Sequence, residues 1–241
     1  MQNPDSGITA DDIPDEPVLV LMASALLGPA AWAPIEKELR SRGWDVVTAP
    51  AADEVDPETP EDAAFGYATA IPADRPVILI PHSNAGNFVP TLISIRNVER
   101  VVFVDATLPV ASGIQALAPR ELLAALETRV DADGVLPPWT EWFDERQVAG
   151  LFPDGATRFH IESRQPQLPI DFLRGSLAID AGWERTPASY LAFGNTYAAE
   201  IDRARAMSWP VIQLNGRHLH MLVDPVGVAD AILTLIDGAA S

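Results

Sequence analysis

The segment Pro76-Val77-Ile78-Leu79-Ile80-Pro81-His82-Ser83-Asn84-Ala85-Gly86-Asn87-Phe88 narrows the possible folds more than any other stretch of the chain. An apolar run of strand length meets a Pro, a Ser follows after one residue, and the small pair Ala85-Gly86 opens what reads as a helix. This is the order of a sharp strand-to-helix turn that holds a Ser hydroxyl exposed above a sheet. Such a turn strains the Ser backbone and brings strand and helix close together. Small residues are therefore needed two before and two after the Ser; Ala85 meets that need and Pro81 meets it in part, where the usual pattern has Gly at both places. Standing alone, the stretch also fits a buried strand running into an ordinary helix with a Ser at its cap.

The flanking sequence supplies more of the frame. Val18 to Ala23 is apolar without interruption, which reads as a strand buried on both faces of a parallel sheet, since a half-exposed strand would alternate with polar residues. A helix is expected from Pro29 to a stop at Gly43, with Trp32, Ile35 and Leu39 on one face, then a strand over Trp44 to Ala49. After the acidic loop Ala51 to Pro60 come a helix over Glu61 to Ala70, the Ser83 turn, a helix from Ala85 to Ile95, and a buried strand Arg100 to Asp105 ending on a carboxylate. This βαβαβ alternation implies an α/β fold, with a mostly parallel central sheet and helices on both faces.

From about Leu108 to Arg185 no buried-strand signal is present. A helix near Pro119 to Val130, the aromatic cluster Pro137 to Phe143 and a short helical run through Phe152 point to a mostly helical cap over the sheet. Strands resume at Tyr190 to Phe193 and Pro210 to Leu214, separated by a helix over Ala198 to Met207. A last helix over Asp224 to Asp237 stops at Gly238. The expected organisation is a flexible acidic arm over 1–16, a core divided between 17–107 and 186–241, and the cap, 108–185, inserted between its two parts.

Charge and cysteine usage exclude several classes of function. Sixteen basic residues against thirty-four acidic ones give a net charge of −18, which repels nucleic acid and anionic membrane surfaces. No apolar run is long enough to cross a bilayer, and Met1 to Pro17 lacks the basic start and apolar core of a secretion signal. With no Cys there is no disulfide, thiol nucleophile or thiolate metal site. A cytoplasmic protein with a small-molecule partner is expected, one that takes neither nucleic acid nor membrane.

A Ser at neutral pH is a poor nucleophile without an adjacent base, normally a His oriented by a carboxylate or amide. Of the four His, His82 sits beside the Ser, where the turn directs it away from the hydroxyl, and His160 lies in the cap. His218 and His220 remain, in the loop between the last strand and the last helix, at the carboxyl end of the sheet where open α/β sheets bind ligands. No ligand set for a metal and no cofactor motif is present.

Taken together these features resemble the α/β-hydrolase superfamily, and within it the small esterase and hydroxynitrile-lyase-like branch. The resemblance covers the chain from Pro17 onward. It rests on the Gly28-Pro29 and Trp32 opening, the Ser83 turn, the strand ending Val104-Asp105, the cap, and the run His218 to Pro225. In that branch the catalytic His precedes this Pro by seven residues, which selects His218. The resemblance implies an oxyanion hole made by the backbone N–H groups of Asn84 and Ala25, although Met22-Ala23-Ser24 stands where the family usually has His-Gly. It also implies that Ser24 adds a hydroxyl near the site, the alternative being an ordinary loop hydroxyl.

The acid has two family positions. In the commoner one this chain carries Asn195, which orients without charge; in the other it carries Asp105, which reads equally as a cap on the following loop. Glu200 is a further candidate. Trp139, Trp142 and Phe143 are expected either to line an apolar substrate pocket or to form the core of the cap. The implied activity is serine-dependent hydrolysis of an ester or thioester by Ser83, His218 and Asp105 without cofactor. A lyase or cyclase on the same scaffold, and a non-catalytic ligand-binding protein, are the alternatives.

Overall fold

The structure is a computed structural model that describes residues 16–51 and 57–238. The expected flexible arm therefore lies outside the described residues, except for its last residue, Glu16. In chain order the elements are β1 (Val18–Met22), α1 (Ala33–Ser41), β2 (Val46–Ala49), α2 (Pro60–Ala70), β3 (Val77–Ser83), α3 (Val89–Ile95) and β4 (Val98–Ala106). There follow β5 (Gly113–Ala116), α4 (Arg120–Leu126), α5 (Glu145–Ala149), α6 (Gly155–Glu162), α7 (Ile170–Arg174) and β6 (Ser176–Ile179). The chain finishes with β7 (Ala188–Phe193), α8 (Ala198–Ala206), β8 (Val211–Leu214), α9 (His220–Val223) and α10 (Pro225–Asp237).

Six strands form one sheet in the order β2-β1-β3-β4-β7-β8, and every pairing is parallel. The apolar runs are continuous because both faces are covered. Val18, Val20 and Met22 of β1 face one core while Leu19 and Leu21 face the other, and β3, β4 and β7 divide their residues in the same way. Tyr67 of α2, Leu92 of α3 and Ile201 of α8 pack on the first face. Ile35 and Leu39 of α1, with Val228, Ile232 and Leu235 of α10, pack on the second. The chain leaves β1 for β2 on one side and returns to β3 on the other, so the strand order reverses at β1. The crevice outside the carboxyl ends of strands at such a reversal is where open α/β sheets bind ligands.

Proline divides two of the expected helices. The one foreseen from Pro29 to Gly43 is a 3-10 turn over Pro29–Trp32 followed by α1, with Pro34 in the first turn of the latter. The one foreseen from Ala85 is likewise a 3-10 turn over Asn84–Phe88 followed by α3, with Pro90 near its start. A Pro has no N–H to continue the preceding turn, so the chain starts a new helix there. The segment 119–130 keeps only α4 as helix.

The region between β4 and β7 carries the helices α4 to α7 and, beside them, one short antiparallel ribbon. β5 and β6 pair antiparallel from Gly113↔Ile179 to Ala116↔Ser176. This ribbon gave no buried-run signal because most of its residues are exposed: no residue of β5 is buried, and only alternate residues of β6 are.

Candidate active site

Ser83 ends β3 with φ 57° and ψ −130°, a conformation that side chains with a Cβ rarely adopt and that costs of order 1–3 kcal/mol. The surrounding structure imposes it. The β3–β4 ladder shifts register between His82 and Ser83, leaving Ser83 opposite Ala106. The turn Asn84–Phe88 then runs hard against the chain leaving β4: a Cβ on Gly86 would stand 2.0 Å from the Thr107 carbonyl oxygen. Gly86, three residues after the Ser, is thus the residue the close approach demands, beside the fully buried Ala85.

One hydrogen-bonded chain runs from this Ser into the sheet. Ser83 Oγ lies 3.1 Å from His218 Nε2, and His218 Nδ1 lies 2.7 Å from Asp105 Oδ2. A carboxylate only accepts, so Nδ1 carries the proton and Nε2 is left as the acceptor for the Ser hydroxyl. Asp105, the penultimate residue of β4, has φ 41° and is fully buried. Its second oxygen accepts the Phe193 N–H of β7 at 3.0 Å, so both oxygens are engaged and the carboxylate is held in one orientation. His218 comes from the loop between β8 and α9. Asn195 is at the surface, where its Oδ1 accepts a bond from Gln213 Nε2 at 3.0 Å, and Glu200 stands on the cavity wall. Neither is hydrogen-bonded to His218 among the described residues. His220 packs edge-on against Phe193, with centroids 5.6 Å apart.

His82 lies under the imidazole of His218, stacked at 4.6 Å between ring centroids, and its Nε2 donates to the His218 carbonyl oxygen at 3.0 Å. Burial, and next the charge of His218, hold His82 well below the usual imidazole range. It stays neutral, so no second cation is stacked beneath His218 when that ring takes up a proton.

The oxyanion side differs from expectation. The Ala25 N–H donates to the side-chain Oδ1 of Asn84 at 3.1 Å, and Ser24 Oγ donates to the same oxygen at 2.9 Å while accepting the Leu26 N–H at 3.2 Å. Because a backbone N–H can only donate, the carboxamide orientation is fixed, with Oδ1 toward Ala25. Ala25 is therefore occupied by a neighbour's carboxamide. Ser24 is only 1% exposed, has its hydroxyl bonded to Asn84 and Leu26, and does not line the cavity that Ser83 lines.

Above Ser83 and His218 opens a cavity of about 840 Å³ whose walls carry Trp139, Trp142, Phe143, Leu26, Leu122 and Leu173. Trp139 packs on His218, with centroids 5.7 Å apart, and on Phe143 at 5.2 Å. The three cap aromatics thus line the cavity that Ser83 also lines, and Phe152 instead joins the core under the second sheet face. Among the described residues no three His, Asp or Glu side chains gather as a metal site, and no helix is long and apolar enough to cross a membrane.

No family model matches the chain, and no curated protein matches it. Solved structures do. An extracellular α/β-hydrolase from a Paenibacillus species, described as sharing structural and functional homology with tobacco salicylic acid binding protein 2, superposes with a TM-score of 0.70. It shares 21% identity, over 91% of this chain and 99% of that one. The fold is that of the α/β-hydrolases. Tomato methylketone synthase I (TM-score 0.66, 13% identity, 93% of this chain and 99% of that one) is similar in the same way. So is polyneuridine aldehyde esterase (TM-score 0.66, 17% identity, 92% and 99%).

Within this α/β-hydrolase fold, two side chains at the Ser escaped the reading of the sequence. One is the Asn84 carboxamide, since the sequence pattern points only to that residue's backbone N–H. The other is Tyr197, in the loop between β7 and α8, whose hydroxyl lies 3.4 Å from Ser83 Oγ. A hydroxyl-bearing aromatic in the very loop where the family places its acid was the signal that could have found it.

Proposed function

We propose that the protein is a serine-dependent hydrolase that cleaves an ester or thioester of a small to medium, fairly apolar substrate through an acyl-enzyme. The observation that carries this reading is the continuous chain Ser83 Oγ, His218 Nε2, His218 Nδ1, Asp105 Oδ2 at the floor of an apolar cavity. His218 accepts the Ser proton as Oγ attacks the carbonyl carbon and returns it to the leaving oxygen or sulfur; Asp105 keeps the imidazole in the required tautomer and balances its positive charge. Water then repeats the sequence on the acyl-Ser. Two of the similar structures are named as a polyneuridine aldehyde esterase and a pyrethroid hydrolase, which agrees in reaction class.

The cap, taken as 108–185, supplies Trp139, Trp142 and Phe143 as apolar walls for the acyl or alcohol part. The absence of Cys supports a cytoplasmic location. A panel of acyl esters and thioesters with rapid acid quench tests the reading: a burst of alcohol or thiol release equal to the enzyme concentration, with the acyl mass on Ser83, is expected. Turnover without a covalent acyl mass would reject it.

One observation favours a second reading, a lyase or cyclase in which the same groups act only as acid and base. The Ala25 N–H is already taken by Asn84, and a reaction without a tetrahedral intermediate does not need that donor.

A further inference from the structure

The chain contains three tyrosines, and their hydroxyls differ in one respect. Tyr67 donates to the Ala23 carbonyl oxygen and Tyr190 to that of Ala106 at 2.7 Å, so both are engaged in holding the backbone at the carboxyl ends of strands. A buried Tyr hydroxyl generally finds such a partner. Tyr197 does not follow them. Its oxygen is 3.4 Å from Ser83 Oγ, longer than the usual 2.7–2.8 Å (roughly) of a hydroxyl pair, and no other partner for it exists among the described residues. The ring packs on His218 with centroids 5.7 Å apart and an interplanar angle of 43°, and it lines the cavity. A donor without a settled acceptor therefore stands beside Ser83 Oγ, the atom that His218 Nε2 also faces.

We propose that Tyr197 is a further catalytic residue, which donates a hydrogen bond to the leaving-group oxygen of the ester as the acyl bond breaks. The role rests on the serine-hydrolase reading above. In the step concerned, the tetrahedral adduct collapses, the bond from carbon to the leaving oxygen breaks, and its electron pair goes to that oxygen. The proton for the departing alcohol comes from His218 Nε2. Tyr197 transfers no proton; its O–H points at the oxygen while negative charge develops there, and the water of the second half-reaction occupies the same place. The leaving oxygen must approach Nε2 to be protonated, and the Tyr197 ring packs on that imidazole with its hydroxyl 3.4 Å from Oγ. Burial pushes the phenol well above its ordinary range, which keeps it a protonated donor at neutral pH.

The test is Tyr197→Phe, which removes one oxygen and keeps the ring against His218. The rate kcat/KM is measured for esters of one acyl group with alcohols of graded acidity, alongside parent enzyme and with thermal melting as a check on folding. For poorly leaving alkyl alcohols a loss of roughly 10²- to 10³-fold is expected, as for removal of a transition-state hydrogen-bond donor. For a nitrophenol, which leaves as a stable anion, the loss should be under about threefold, so the dependence of rate on alcohol acidity steepens. A loss equal for all leaving groups, or no loss, overturns the role of Tyr197 while the serine reading stands. If the parent enzyme neither cleaves the esters nor forms an acyl-Ser83, the serine reading fails and this role fails with it.

Discussion

The two sides of Ser83 are organised in opposite ways. On the imidazole side every group has the partner and protonation that proton transfer needs: His218 bonds Ser83 and Asp105, and Asp105 is fixed by the Phe193 N–H. On the oxyanion side the protein has closed upon itself, the Asn84 Oδ1 receiving both the Ala25 N–H and the Ser24 hydroxyl. The Ala25 N–H, expected as a second donor to a developing negative oxygen, is thereby committed to a protein acceptor. Proton transfer and charge stabilisation are separate assets of a serine site, and each contributes several orders of magnitude in rate. Only the first stands fully assembled here.

Substitutions on the imidazole side should have the largest effects. Ser83→Ala should abolish acyl transfer with an unchanged melting temperature, because the hydroxyl contributes little packing at the cavity floor; retained turnover in an ester assay would reject the serine mechanism. His218→Ala should cost several orders of magnitude in kcat, on the order of 10³-fold or more. His220→Ala should cost far less, since that ring packs on Phe193 and is not bonded to Ser83; the reverse ranking would move the base.

Asp105→Asn should lower kcat by roughly 10²–10⁴-fold. Asp105 accepts from two donors, the Phe193 N–H and the His218 Nδ1–H, whereas a carboxamide has one accepting oxygen. With that oxygen kept on Phe193, its NH₂ faces Nδ1 and drives the imidazole proton to Nε2, where it can no longer take the Ser proton. A change in stability with the rate per folded molecule preserved would mark Asp105 as structural.

The smallest effect is expected on the other side, and it has the opposite sign. Asn84→Ala frees the Ala25 N–H, and a substrate carbonyl then no longer competes with the carboxamide for it. Two net hydrogen bonds of about 1 kcal/mol each suggest a rise in kcat/KM of roughly thirtyfold. A fall would mean that the Asn84 side chain holds the loop 24–26 in its working shape, and the contrast between the two sides would disappear.

Most of the frame and the imidazole side were legible in the sequence. Val18 to Ala23, Val77 to Ile80 and Val101 to Val104 are apolar without interruption because each strand is covered on both faces, and helices alternate with them. That order fixes a parallel sheet whose carboxyl ends gather the loops bearing Ser83, Asp105 and His218. What escaped depends on side-chain conformation and not on pattern. The Asn84 carboxamide meets Ala25 across 59 residues of sequence, and nothing local announces which way an amide folds. Tyr197 lies in a loop without periodicity, and the choice between Asp105 and Asn195 depends on which of two strand ends the imidazole meets. The β5–β6 ribbon is short and mostly exposed, so the hydrophobic pattern that reveals buried strands has nothing there to record.

The claim that Ser83 is a nucleophile activated by His218 is tested most directly by exposing the protein to a fluorophosphonate and mapping the modified residue by mass spectrometry. One phosphonyl group per chain, on Ser83, formed in the parent and lost in His218→Ala, is the expected result. An unmodified chain, or a label on any other residue, would contradict it.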